Sequence, residues 1–118
     1  MVVGRKATAE RQADLIFRAL ADRTRRDVMR RAMHGTLSVS GLARLYPMST
    51  TAVQKHVAVL EEAGLVHLTR RGRQLLVQTE MDAVARAQVL LAEFEQLWRG
   101  RLDRIGDVLA RPEDGDGS

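Results

Sequence analysis

The sequence predicts a mainly helical fold interrupted once by a two-stranded hairpin, and three observations predict it. Apolar residues recur every three or four positions through most of the chain, the period of helices with one buried face. Between Leu65 and Thr79 that period gives way to two short, partly β-branched runs around a glycine. The helical period then returns and steps from Val84 to Leu109. At 118 residues the chain has the size of one domain. With Phe17, Tyr46, Phe94 and Trp98 as the full aromatic set, its core must be built from Leu, Val, Ala and Met.

Residues 1–7 show no strong pattern and are expected to be flexible. From about Thr8 a first helix carries Leu15, Ile16, Ala19 and Leu20 on one stripe. Asp22 is the expected N-cap of a second helix, which buries Val28, Met29, Ala32 and Met33. Gly35 is read as its left-handed stop. Ser38 begins a short third helix with Val39, Leu42, Ala43 and Leu45 inward. Pro47 discourages helical geometry at Tyr46, so that helix should stop near there. Ser49 caps a fourth helix whose Val53, Val57 and Leu60 recur at i, i+4 and i+7, and Gly64 closes it.

The hairpin strands are expected at Leu65–Thr69 and Gln74–Thr79, with Arg70-Arg71-Gly72-Arg73 at the tip. Leu75-Leu76-Val77 is continuously apolar, so the register of the second strand is not readable. Thr79 and Asp82 fit a capping-box start for the last helix. Its seam runs through Val84, Ala87, Leu91, Phe94, Trp98, Leu102, Ile105 and Leu109, roughly seven turns. Gly100 and Gly106 each weaken helix propensity by about 1 kcal/mol relative to Ala, so a kink or break can occur there. Residues 112–118 read as a disordered acidic tail, leaving 8–111 as the folded domain.

The absence of cysteine excludes a disulfide scaffold, a thiolate metal site and a cysteine nucleophile. No apolar run is long enough to span a bilayer, and the basic N-terminus lacks a signal peptide's apolar segment. A cytoplasmic protein with no membrane partner is therefore expected. The chain holds 17 Arg and 2 Lys for a net charge of +4. Residues 1–111 carry all 19 bases against 12 acids, a balance of +7. That charge favours a polyanionic partner.

The third helix, the turn at Pro47 and the fourth helix form a helix-turn-helix pattern, and the hairpin after it makes the pattern winged. A helix fits the major groove of B-DNA, and residues near its N-terminus reach base edges and phosphates. Here that end presents Ser49, Thr50, Thr51, Gln54 and Lys55, with His56 close behind. The hydroxyls can bond phosphate or base, Gln54 can pair with adenine, and Lys55 offers a charge to phosphate or guanine. Arg70, Arg71 and Arg73 crowd one tight turn and repel one another unless an anion is near. Five arginines of the second helix (Arg23, Arg25, Arg26, Arg30 and Arg31) are read as mainly structural, with Asp22 and Asp27 as partners for some.

From Ala19 to Leu109 the chain resembles the ArsR-type winged-helix regulators. The resemblance rests on Ala19-Leu20-Ala21-Asp22 followed by Thr24-Arg25-Arg26, on Leu37-Ser38-Val39 leading to Leu42-Ala43, and on Met48-Ser49. Its densest part is Val53-Gln54-Lys55-His56-Val57 with Val59-Leu60-Glu61-Glu62-Ala63-Gly64-Leu65-Val66. The closing Trp98, Arg101-Leu102-Asp103-Arg104-Ile105 is similar to the last helix of a branch that senses no metal.

The resemblance implies a homodimer built on the first and last helices, with Leu15, Ile16, Leu91, Phe94, Trp98, Leu102 and Ile105 at the interface. It also implies two recognition helices on a pseudo-palindromic double-stranded operator and repression by occluding promoters. His56 matches a position often histidine in the family and could contact phosphate or brace the helix from inside.

Departures narrow the reading. Arg23 stands where the family usually has proline, and Gly41 replaces a helix-favouring residue. Leu42-Ala43-Arg44-Leu45 lacks the thiolates of the metal-responsive members, and no histidine follows His67. His34, His56 and His67 have no ligand spacing, so neither a metal nor another cofactor is expected. The apolar seam could instead enclose a hydrophobic effector, though a dimer core is the favoured reading, and the sequence names no effector. Ser49, His56 and Asp103 form no catalytic motif, and no enzymatic activity is expected. The competing function is a winged-helix protein-interaction module that does not read DNA, against which the basic recognition helix and wing argue.

Overall fold

Three short polar side chains punctuate the helices. Asp22 Oδ1 accepts from the Arg25 amide at 3.0 Å, Ser38 Oγ from the Gly41 amide at 2.9 Å and Ser49 Oγ from the Ala52 amide at 3.1 Å. Each satisfies an amide that lacks a partner in the first helical turn. In the computed structural model, which describes residues 2–110 and their side chains from residue 8, these caps open three helices. They are α2 (Arg23–His34), α3 (Val39–Ala43) and α4 (Thr50–Glu62). Before them stands α1 (Val2–Leu20), which extends back through residues where no apolar period is readable. After them come β2 (Val66–Arg71), β3 (Gln74–Thr79) and α5 (Met81–Ala110). The acidic tail expected at residues 112–118 lies outside the described residues.

The sheet has three strands where two were expected. Leu37–Ser38 form β1 and pair antiparallel with β3, giving the order β1-β3-β2. The hairpin runs from Val66 opposite Thr79 to Arg71 opposite Gln74. Leu68 stands across from Val77, so the β3 register puts Leu75 and Val77 on the core side with Val66 and Leu68. On the other side His67 and Gln78 pair through Nε2 and Oε1 at 2.7 Å, and Thr69 Oγ1 donates to the same oxygen at 3.0 Å. Thr79 is the last residue of β3, so it does not cap α5; Asp82 does lie in the first turn of α5.

The described residues fall into two units, one ending at Ala87 and the other starting at Gln88. The first holds the core: Ile16 and Ala19 of α1, Val28, Met29 and Ala32 of α2, Val39 and Leu42 of α3, and Val53, Val57 and Leu60 of α4. Ala63, Leu65, Val66, Val77, Ala83 and Ala87 complete it. Two residues expected in this core are outside it. Met33 is 49 % exposed, because it sits on the rim of the stripe centred on Val28, Met29 and Ala32. Leu45 is 46 % exposed, because α3 ends at Ala43 and the turn after it no longer follows a helical stripe.

Gly35 differs from its expected role as well. Its φ of 167° is extended backbone, so the stop of α2 does not use a left-handed residue. Gly64, by contrast, has φ of 77° and makes the turn from α4 to β2 that a side chain would strain. In the second unit Gly100 and Gly106 do not interrupt α5, which continues to Ala110.

A side-chain triad ties α2 to the turn before α4. Tyr46 Oη donates to Asp27 Oδ2 at 2.6 Å, Arg31 Nε donates to the same oxygen at 2.8 Å, and the Arg31 guanidinium lies 5.6 Å from the Tyr46 ring centre. The tyrosine hydrogen bond first, and the Arg31 contact second, hold the Asp27 carboxyl below its ordinary 3.8. Burial and the Asp27 contact push the Tyr46 phenol up from 10.0 to about 12. A lowered carboxyl contributes stability that is full above its ordinary value and lost as pH falls through its folded value. The advantage of the wild type over Asp27→Asn should therefore be full at neutral pH and shrink below pH 3.8. The raised phenol has the opposite sign: its contribution is full below pH 10.0 and declines toward about 12. Urea midpoints measured against pH for wild type, Asp27→Asn and Tyr46→Phe check both arms.

Candidate nucleic-acid interface

Amphipathicity gives α4 two faces of different chemistry. Val53, Val57 and Leu60 are buried, which turns Ser49, Thr50, Thr51, Gln54 and Lys55 outward, where all five are exposed. Ser49 spends its hydroxyl on the Ala52 amide, so at rest it serves as a cap. The free amides and dipole of the α4 N-terminus make this end favourable to anions. His56 is half-buried and turned toward α2, where its Nδ1 lies 3.2 Å from Arg25 Nη1.

The hairpin reaches the same neighbourhood. Gly72 has φ of 63° and no non-glycine among the described residues has a positive φ, the pattern of a type II′ turn with glycine first. Arg70 and Arg71 therefore close β2, and Arg73 shares the two-residue tip with Gly72. All three arginines are exposed, and among the described residues none has an acidic partner.

A groove of about 400 Å³ separates α4 from the hairpin. Thr50 and Gln54 line one wall and Arg73 and Gln74 the other, over Val57, Leu68 and Leu75. The structure thus brings Thr50, Gln54 and Arg73 to one groove. Ser49, Thr51, Lys55, Arg70 and Arg71 do not line it.

Of the five α2 arginines, Arg25, Arg26 and Arg31 have intramolecular side-chain partners among the described residues, and those of Arg25 and Arg26 are mostly carbonyls. Arg25 Nε donates to Ala19 O at 2.7 Å and Nη2 to Arg18 O at 3.1 Å, while Arg26 Nη1 donates to Leu20 O at 2.7 Å. These are the last carbonyls of α1, which have no partner within that helix. Of the two aspartates expected as partners, Asp27 does hold Arg31, while Asp22 stands 4.0 Å from Arg25. No local pattern reveals a guanidinium that caps the preceding helix and reaches a histidine 31 positions away.

The expected dimer-face residues divide. Leu91, Phe94, Trp98, Leu102 and Ile105 are between 45 % and 60 % exposed on α5, together with the exposed Leu97 and Val108, which lie off the expected seam. Leu15 is partly buried against the core. Ile16 is 1 % exposed and belongs to the protomer's own core, because the α1 stripe that carries it is spent on α2 and α4. Phe17 is the exposed large side chain beside it.

Among the described residues no three His, Cys, Asp or Glu side chains gather as metal ligands, and no helix is long and apolar enough to cross a membrane. His34 Nδ1 lies 2.7 Å from Arg30 O, and His67 lies between Gln78 and Glu80 at 2.7 Å and 2.6 Å.

No protein-family model matches the chain. It is 36 % identical over 99 residues to the HTH-type transcriptional regulator Rv2034 of Mycobacterium tuberculosis, covering 84 % of this chain and 90 % of that protein. A crystal structure of the ArsR family transcriptional regulator RHA00566 matches with a TM-score of 0.72 and 34 % identity, over 76 % of this chain and 93 % of that one. The homodimeric winged helix-turn-helix DNA-binding domain Mb0332 from Mycobacterium bovis, a possible ArsR-family regulator, matches with a TM-score of 0.63. It is 26 % identical over 79 % of this chain and 88 % of that one. The chain belongs to the ArsR family of winged helix-turn-helix transcriptional regulators.

Proposed function

We propose that the protein is a homodimeric repressor that reads a pseudo-palindromic double-stranded operator in the cytoplasm and acts by occluding promoters. The observation that carries this reading is the groove with Thr50 and Gln54 on one side and, on the other, Arg73, which has no acidic partner among the described residues. Base-reading and phosphate-binding groups stand together there, with Lys55, Arg70 and Arg71 adding exposed charge nearby. Homodimerisation draws support from the exposed α5 stripe and from the homodimeric M. bovis relative. Regulation without a metal draws support from the lack of cysteine and from the local contacts of all three histidines.

Selection of duplexes from a random pool by the purified protein tests the reading, because a protein-interaction module would enrich none. On the selected operator, Gln54→Ala should relax preference at one position in each half-site, a loss of about 1–3 kcal/mol of discrimination. Arg71→Ala should weaken binding to all duplexes alike and reduce the salt slope by about 1. An unchanged slope would move the wing off the DNA backbone. Wild-type affinity should be the same with a chelator as with added zinc; a difference would reinstate a metal.

A further inference from the structure

The Arg25 guanidinium joins three helices. Its Nε and Nη2 donate to the carbonyls of Ala19 and Arg18 at the end of α1, at 2.7 Å and 3.1 Å. Its own amide is held by Asp22 at the start of α2. Its Nη1 lies 3.2 Å from Nδ1 of His56, on the seventh residue of α4. The Arg25 side chain is 16 % exposed, so it is poorly placed to meet a phosphate itself. Lysine, with one point charge, could not span these partners as the planar fork does.

Arginine has only donors, so in this contact Nδ1 of His56 must be the acceptor. A neutral imidazole that accepts at Nδ1 carries its proton on Nε2. No other hydrogen bond to the His56 side chain is found among the described residues. Val53 and Val57 anchor α4 in the core from a neighbouring face, but apolar packing tolerates small rotations that a directional bond does not. Gln54 and Lys55 immediately precede His56, so a rotation of the helix at His56 moves both.

We infer that Arg25 is a positioning residue for operator reading: through His56 Nδ1 it sets the rotation of α4 relative to α1 and α2. This rests on the proposal that α4 reads DNA. It makes His56 a brace whose acceptor nitrogen matters, rather than a residue whose chief work is a phosphate contact through Nε2.

Two replacements of His56 separate these roles. His56→Asn keeps an acceptor oxygen near the Nδ1 position and discards Nε2, and His56→Gln does the reverse. The full-length protein is titrated with the duplex selected by the wild type and with a scrambled duplex, and the affinity ratio is read beside the urea midpoint. His56→Asn should keep the ratio within about threefold of wild type, while His56→Gln and Arg25→Met should each lose about tenfold or more. The double variant Arg25→Met/His56→Gln should be no worse than the poorer single variant, since both break one contact.

A retained ratio in His56→Gln with a loss in His56→Asn overturns the inference in favour of an Nε2 contact. Equal losses in both His56 variants overturn it too, because the imidazole would then act other than through Nδ1. So does a lowered midpoint with every ratio intact, the mark of a purely structural role. If Arg25→Met does not fold, the two His56 variants decide alone. A wild type that enriches no duplex overturns the DNA-reading proposal and this inference with it. A wild type that enriches one leaves DNA reading standing, so that a failure among the variants then counts against Arg25 and His56 alone.

Discussion

Phe94→Glu is expected to turn the protein into monomers. Phe94 is 60 % exposed on α5, in a stripe with Leu91, Trp98, Leu102 and Ile105 that the second unit leaves open. An exposed apolar stripe of this extent marks an interaction surface, and a second copy is the partner proposed. Removing the phenyl ring forfeits about 1.5–3 kcal/mol of burial, and seating a carboxylate in an apolar seam costs roughly 2 kcal/mol or more besides. In a two-fold interface both penalties occur twice. Interfaces of a small protein have little reserve against such a sum.

The consequence for DNA is larger than for shape. A monomer offers one recognition helix, and loses the effective concentration that makes the second half-site contact intramolecular, on the order of 10²- to 10⁴-fold in affinity. Sedimentation velocity and titration of the selected operator check the two outcomes together. Leu91→Glu should behave alike. Neither residue belongs to the core of the first unit, so both variants should remain folded. A stable dimer in both would move the interface elsewhere on the molecule.

What was legible in the sequence was what is local. Asp22, Ser38 and Ser49 each cap an amide three residues on, and a contact of that reach is written in adjacent letters. The buried face of α4 follows likewise from the spacing of Val53, Val57 and Leu60, and once that face is buried Thr50, Thr51, Gln54 and Lys55 must be outside. The position of the turn was readable because Gly72 marks it, although Arg70 and Arg71, expected at the tip, close β2 and only Arg73 shares the tip with Gly72.

What was not legible depends on partners far along the chain. Leu37–Ser38 is too short to show a strand's period and becomes one because Leu76 and Val77 lie opposite. The uniform run Leu75-Leu76-Val77 acquires two faces only when Val66 and Leu68 take their places across the ladder. Ile16 carries the same periodic signal whether its stripe meets α4 or another protomer, and the structure puts it in the core. Arg25 resembles any charge on a basic helix until the end of α1 and His56 are seen around it.

Leu60→Ala tests the packing on which the interface depends. Leu60 is 0 % exposed in the last turn of α4, and its carbonyl accepts from the Leu65 amide at 3.0 Å, so its neighbourhood also fixes the turn into β2. The buried core around it is aliphatic, with no fully buried aromatic ring among the described residues, and short branched side chains on helices already capped have little room to collapse into a void. The truncation is therefore expected to cost about 2–5 kcal/mol. Against a domain stability of about 5–15 kcal/mol, that is enough to bring some of the chain out of the folded state at growth temperature.

Urea denaturation should show a lowered midpoint at an unchanged slope, because the same surface is exposed on unfolding. Met33→Ala, at a side chain 49 % exposed, is the matched control and should stay within about 1 kcal/mol of wild type. Below the transition, where Leu60→Ala is still folded, its preference for operator over scrambled duplex should persist, since the side chain is fully enclosed. A loss of preference in the cold would instead mean that packing under α4 sets the pose of the recognition helix, a share of the work assigned here to Arg25 and His56. A loss in stability below about 1 kcal/mol would contradict the placement of α4 against the core, because no well-packed leucine with its side chain fully enclosed is removed so cheaply.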